Sequence, residues 1–125
     1  KHRVRVAYIL GLGEEDEVLE DARMAFGAGV RVFKVKVGRD LEADTRRILR
    51  LKEAFPEAEL YADANESLPP KEAERYLLAW KELGLRYVEE PLPVEEVEAR
   101  RALREKGILS LIADDAAMTP KDLKR

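Results

Sequence analysis

Cysteine is absent from the 125-residue chain, and histidine occurs once, as His2. Without thiols there can be no disulfide, thiolate zinc site, iron–sulfur cluster or cysteine nucleophile. A single terminal histidine leaves no imidazole zinc site and no Ser-His-Asp triad. An excess of one charge is also missing: 23 Lys and Arg against 26 Asp and Glu give a net charge of −3. No basic face follows from that balance, so nucleic acid is not an expected partner. No apolar run approaches the roughly 20 residues of a membrane helix, and no leader peptide is recognisable, so neither is a membrane. The expectation is a soluble cytoplasmic protein. What the chain does have is 46% hydrophobic and 39% charged residues, enough for one packed core under an ionic surface and not the composition of disorder.

Two periodicities alternate along the chain. Short β-branched runs predict strands at Val4–Leu10, Val32–Val37, Leu60–Asp63, Tyr87–Glu89 and Ile108–Ala113, each followed by Gly, Pro or Asp-rich punctuation. Between them, apolar residues at helical spacing predict helices over Glu14–Phe26, Leu41–Phe55, a stretch opened by Pro69-Pro70 and closed by Gly84, and Val94–Lys106. Thr119-Pro120 has the form of a further helix start. Trp80 shares a stripe with Leu77 and Leu83 and is expected in the core. Strand and helix alternating through short links imply a parallel sheet with right-handed crossovers. The unit length is steady: 27 residues separate Lys36 from Asp63, 26 separate Asp63 from Glu89, and 25 separate Glu89 from Asp114.

Those four positions break the rule that parallel strands are apolar where they are buried. Lys34 and Lys36, then Asp63, Glu89 and Asp114, stand near the C-terminal ends of the second to fifth strands, the edge where parallel α/β sheets bind ligands. Alternation puts them on the face opposite Phe33, Val35, Leu60, Ala62 and Val88. Carboxylates on successive strands lie about 5 Å apart and repel. A hard divalent cation relieves that repulsion, and oxygen donors without His or Cys favour Mg2+, or Mn2+, over zinc. The like charge of Lys34 beside Lys36 should lower the Lys36 pKa and make it a usable base. A metal with a lysine base is equipment for taking a proton from the carbon α to a carboxylate.

The segments FKVKVG (Phe33–Gly38), YADANES (Tyr61–Ser67), VEEPLP (Val88–Pro93) and LIADDAA (Leu111–Ala117), in that order on successive strands, resemble the enolase superfamily, specifically its muconate-cycloisomerase-like subgroup. The resemblance implies a TIM-barrel domain and a Mg2+-dependent isomerase or lyase acting on a small carboxylate substrate through a stabilised enolate. It places the base on Lys36 with Lys34 as its partner, and the metal on Asp63, Glu89 and Asp114. Asn65 and Asp115 stand beside those ligands. Asp115 and Ala116 occupy positions where the family usually has Glu and Ser.

Residues 1–125 are thus expected to form one partial (β/α) barrel domain, half-barrel-like, without the capping domain or the sixth to eighth strands that family members carry. Two other arrangements are compatible with the pattern: rearrangement to an open doubly wound sheet, or completion by a second copy. Little or no turnover is expected of such a piece alone. The alternative is an engineered or truncated scaffold that self-associates and catalyses nothing.

Overall fold

The computed structural model describes residues 3–114 and 117–122. The elements run β1 (Ala7–Leu10), α1 (Glu15–Gly27), β2 (Val32–Lys36), α2 (Leu41–Ala54), β3 (Glu59–Asp63), α3 (Ala73–Glu82), β4 (Tyr87–Glu89), α4 (Val97–Lys106) and β5 (Ser110–Ile112). The five strands form one parallel sheet in the order β1-β2-β3-β4-β5. A doubly wound sheet reverses direction at a switch point. Here each strand lies beside its predecessor, so that alternative is excluded, and same-handed crossovers bring every helix to one side.

The helix-covered side is the core. Leu10, Phe33, Val35, Leu60, Ala62 and Val88 from the strands meet Ala22, Ile48, Leu51, Leu77 and Leu103 from the helices. Phe55 links α1 to the sheet, with its ring 5.1 Å from Phe26 and 5.9 Å from Phe33. Trp80 is fully buried on α3 and meets Tyr76 edge-on at 5.6 Å. The opposite side of the sheet carries the charged residues and leaves Ile9, Tyr87 and Ile112 exposed.

Besides β5, which begins at Ser110 instead of Ile108, three elements begin later than the sequence pattern suggests. β1 starts at Ala7 because the ladder to β2 begins with Ala7 opposite Val32, and Val4 and Val6 project into solvent without a partner strand. α3 starts at Ala73, since Pro70 disfavours a helical conformation at Pro69, and residues 70–72 form a turn closed by the Glu72 and Ala73 amides on the Pro69 carbonyl. α4 starts at Val97 after a turn in which the Glu96 amide bonds the Pro93 carbonyl. At Thr119 the backbone N–H and the hydroxyl both donate to the Asp122 carboxylate, and no α-helix follows among the described residues.

Trp80 fills the space between α3 and the sheet, so Trp80→Ala should destabilise the fold by roughly 3–5 kcal/mol. Urea denaturation followed by far-UV circular dichroism measures this, since Trp80 is the sole tryptophan and its fluorescence is lost with it.

Candidate functional site

Strand register builds the site. Lys36 pairs with Asp63, Asp63 with Glu89, and Glu89 with Ile112, so three charged residues share one rung at the C-terminal edge of the sheet. Alternation turns all three away from the helices. Lys34 lies one turn of the pleat lower, opposite Tyr61.

The side chains close into a compact cluster. Lys36 Nζ donates to Asp63 Oδ2 at 2.7 Å and to Asn65 Oδ1 at 3.0 Å. Lys34 Nζ reaches across β3, 3.0 and 2.8 Å from the two Glu89 carboxylate oxygens and 3.2 Å from Asp63 Oδ2. Asp63 Oδ1 accepts the Asn65 backbone N–H at 3.1 Å. The Asp63 and Glu89 side chains are only 3% and 8% exposed, so their charges need nearby compensation. Two carboxylates about 5 Å apart repel by roughly 3 kcal/mol at an effective dielectric of 20, whereas each ammonium about 3 Å from an oxygen returns roughly 5 kcal/mol. The lysines therefore decide the balance.

That balance sets the protonation states. Burial pushes the Asp63 carboxyl up, but hydrogen bonds from Lys36, the Asn65 amide and Lys34 outweigh it and hold the group below its ordinary value. Burial pulls the Lys34 amine down, but Glu89 and Asp63 more than reverse this and hold it above the ordinary lysine value. Each ammonium is turned onto a carboxylate.

Asp114 stands apart. Ile112, the last residue of β5, stands opposite Glu89, so Asp114 lies two residues past the Asp63–Glu89 rung and beyond the end of the strand. Its side chain is exposed, and among the described residues no three acidic groups come close enough together to hold a metal ion. Asp115 lies outside the described residues. The structure thus brings together Lys34, Lys36, Asp63, Glu89 and Asn65, and does not bring Asp114 to them.

The donor chemistry at the rung nonetheless fits a hard cation. Asp63 and Glu89 are adjacent buried carboxylates whose charge is met by two side-chain ammoniums and the Asn65 amide, and all their donor atoms are oxygen. Mg2+ is the ion such donors prefer.

Three supporting acids were not singled out by the sequence pattern. Glu90 is 2% exposed with a φ of 41°, accepts the Asp114 backbone N–H at 2.5 Å, and lies 3.6 Å from Arg100. Glu66, with a φ of 65°, accepts the Val94 N–H at 2.7 Å and ties the loop after β3 to the loop after β4. Asp44 is 1% exposed on α2 and accepts the Gly38 N–H at 2.7 Å. Burial raises its pKa against the opposing pull of Gly38 and Arg47. Signals for two of them exist: Asp44 interrupts the apolar stripe Leu41, Ile48, Leu51, Phe55, and the parity of β4 turns Glu90 to the helix side.

Sequential parallel β/α units with lysines and carboxylates on one C-terminal edge define a barrel-type α/β domain. The family model described as Enolase C-terminal domain-like matches residues 17–125, and the chain belongs to that family. It is 27% identical to an L-Ala-D/L-Glu epimerase from Clostridium acetobutylicum, with 100% of this chain and 36% of that protein covered. It is 32% identical to an L-Lys-D/L-Arg epimerase from Methylococcus capsulatus, with 90% and 32% covered. The solved muconate lactonizing enzyme from Mucobacterium smegmatis, complexed with muconolactone, superposes with a TM-score of 0.88 at 34% identity, covering 97% of this chain and 34% of that one. These relatives are isomerases of the enolase superfamily, and the chain spans about a third of their length.

Because the folded Asp63 carboxyl titrates below its unfolded value, it stabilises the fold above the ordinary carboxylate range near pH 4, and this contribution is lost as pH falls through and below that range. Urea midpoints between pH 7 and pH 3 should fall more steeply in the wild type than in Asp63→Asn. Parallel pH profiles would show that the cluster does not contribute.

Proposed function

We propose that the chain supplies the metal- and base-bearing part of a Mg2+-dependent isomerase that removes the proton α to a substrate carboxylate. The observation carrying this reading is the cluster of two lysines on two buried carboxylates at the C-terminal edge of β2–β4. Asp63 and Glu89 would hold the ion on the rung, with Asn65 beside them and Asp114 drawn in from beyond the end of β5 as the third carboxylate. When bound, the ion supplies positive charge for a substrate carboxylate and for the enolate that forms from it.

This chain's own residues handle the proton. Lys36 has the more open amine of the pair and lies on the rung itself, so it is the group that takes the proton and returns it. Lys34 is drawn deeper, bridging Asp63 and Glu89, and serves as fixed positive charge. The ammoniums sit on the same oxygens a cation would use, so a bound cation would take their place, and Lys36, once its ammonium has given a proton to water, would meet substrate as the neutral amine that a base must be. Substrate selection and the second proton-transfer group are assigned to the parts of the relatives that this chain does not span, so turnover by the 125-residue chain alone is expected to be low. Isothermal titration with MgCl2 should give saturable binding that Asp63→Asn or Glu89→Gln abolishes. Binding that does not saturate, or that both variants retain, overturns the proposal, and efficient racemisation of a dipeptide by this chain overturns the low-turnover part.

A second reading, a self-associating scaffold without catalysis, draws on one specific observation. β1 and β5 each have a single partner strand among the described residues, and Ile9, Tyr87 and Ile112 lie exposed on the face without helices. Unpaired strand edges and an open apolar face favour pairing of copies. Sedimentation velocity at rising concentration should show dimer or larger species; a monomer throughout removes this reading.

A further inference from the structure

Lys36 is the last residue of β2, and a strand end is ordinarily the loosest part of a sheet. Here it is gripped from the helix side. Arg47, one turn along α2 from Asp44, donates from Nη1 to the Lys36 carbonyl at 3.2 Å and to Asp44 Oδ1 at 3.3 Å. The other Asp44 oxygen accepts the Gly38 N–H at 2.7 Å. One acid–base pair therefore holds the backbone on both sides of Val37, at the carbonyl of residue 36 and the amide of residue 38. Both partners are desolvated, with side chains 11% and 2% exposed.

The opposite side of this bracket is closed as well. Gly38 has a φ of +109°, and a Cβ there would lie 1.7 Å from Ser67 Oγ and 3.3 Å from the Ala64 carbonyl oxygen. The Val37 amide bonds the Asp63 carbonyl at 3.0 Å. The β2 end is thus wedged between α2 and the loop after β3, and that loop carries Asn65, the second acceptor for the Lys36 amine. A helix needing only to be fastened to the sheet has apolar packing for that purpose, which Ile48 and Leu51 already supply. A largely buried ion pair costs desolvation that apolar packing avoids, and here it bonds the two backbone groups on either side of Val37.

We infer that Asp44 and Arg47 are positioning residues, whose task is to fix the β2 terminus so that the Lys36 amine stays on Asp63 and Asn65. The inference rests on the proposed role of Lys36 only for its catalytic meaning; the placement itself is testable without turnover. Apart from the hydrogen bond between them, the pair makes its polar contacts with backbone on β2 and its following loop, not with the lysine side chains. Its loss should therefore reach Lys36 through the backbone and leave Lys34, two residues back inside the ladder, in place.

Lysine ammonium groups held by acceptors give separate proton–nitrogen NMR correlations at low temperature, which serve as the readout in uniformly labelled full chain without added metal. The wild type should show resolved correlations for both Lys34 and Lys36. Arg47→Met should lose the Lys36 correlation and keep that of Lys34, and Arg47→Lys, which restores a donor to the carbonyl, should recover it. Asp44→Asn, close in shape and still an acceptor for Gly38, should weaken the Lys36 signal less than Arg47→Met does. Absence of the Lys36 signal in the wild type, its survival in Arg47→Met, or equal loss of both signals would overturn the inference. If Arg47→Met does not fold, selective weakening of Lys36 in Asp44→Asn supports it, and unchanged or equally weakened signals overturn it. A chain with the selective NMR response but no Mg2+ binding overturns the proposed function and leaves this inference standing.

Discussion

Two carboxylates are placed side by side in the interior of a parallel sheet by nothing more than strand register, and everything at this edge follows from how their charge is met. Asp63 and Glu89 share a rung because β3 and β4 pair in step. Both are almost sealed from water. Left alone they would force a proton onto one of them or push the strands apart. Lys34 and Lys36 prevent both, and because they alternate with Phe33, Val35 and Val37, the same strand that supplies the ammoniums also supplies core on its other face. Local pattern, packing and charge agree at β2.

The position of the cluster also explains the unusual backbone around it. Asn65, Glu66 and Glu90 adopt positive φ angles although none is glycine, a conformation that costs about 1 kcal/mol or more per residue. All three lie in the loops that follow the strands carrying the carboxylates. Their amides and side chains tie the loops after β3, β4 and β5 to one another: the Glu66 amide bonds the Glu90 carbonyl at 2.7 Å, and the Glu90 carboxylate holds the Asp114 amide. The strain is offset by a rim in which successive loops fix each other.

Much of this was legible in the sequence. The alternation of periods, the steady unit length and the charged residues at strand ends located the sheet edge and the face on which Lys34, Lys36, Asp63 and Glu89 lie. The misjudged boundaries have local causes, in Pro70 before α3 and in the missing strand partner for Val4 and Val6. Less legible was the alignment of β5. Spacing of 25 and 26 residues suggested that Glu89 and Asp114 are equivalent, but spacing along a chain does not report register across a ladder, and Ile112 is the residue opposite Glu89. Asp44 and Glu90 were overlooked because an acid among apolar neighbours reads as a surface residue until its partner, a backbone amide on another segment, is known.

The order of the strands has a consequence for how such a molecule grows. Each β/α unit rests on the one made just before it, so pairing never waits for a distant part of the chain, and the entropy lost in closing each loop stays small. Assembly can proceed from the first unit onward as the polypeptide emerges. An architecture accreted in this serial manner gains or sheds whole units at its margins without rewiring those already laid down, which makes it a natural substrate for duplication and recombination.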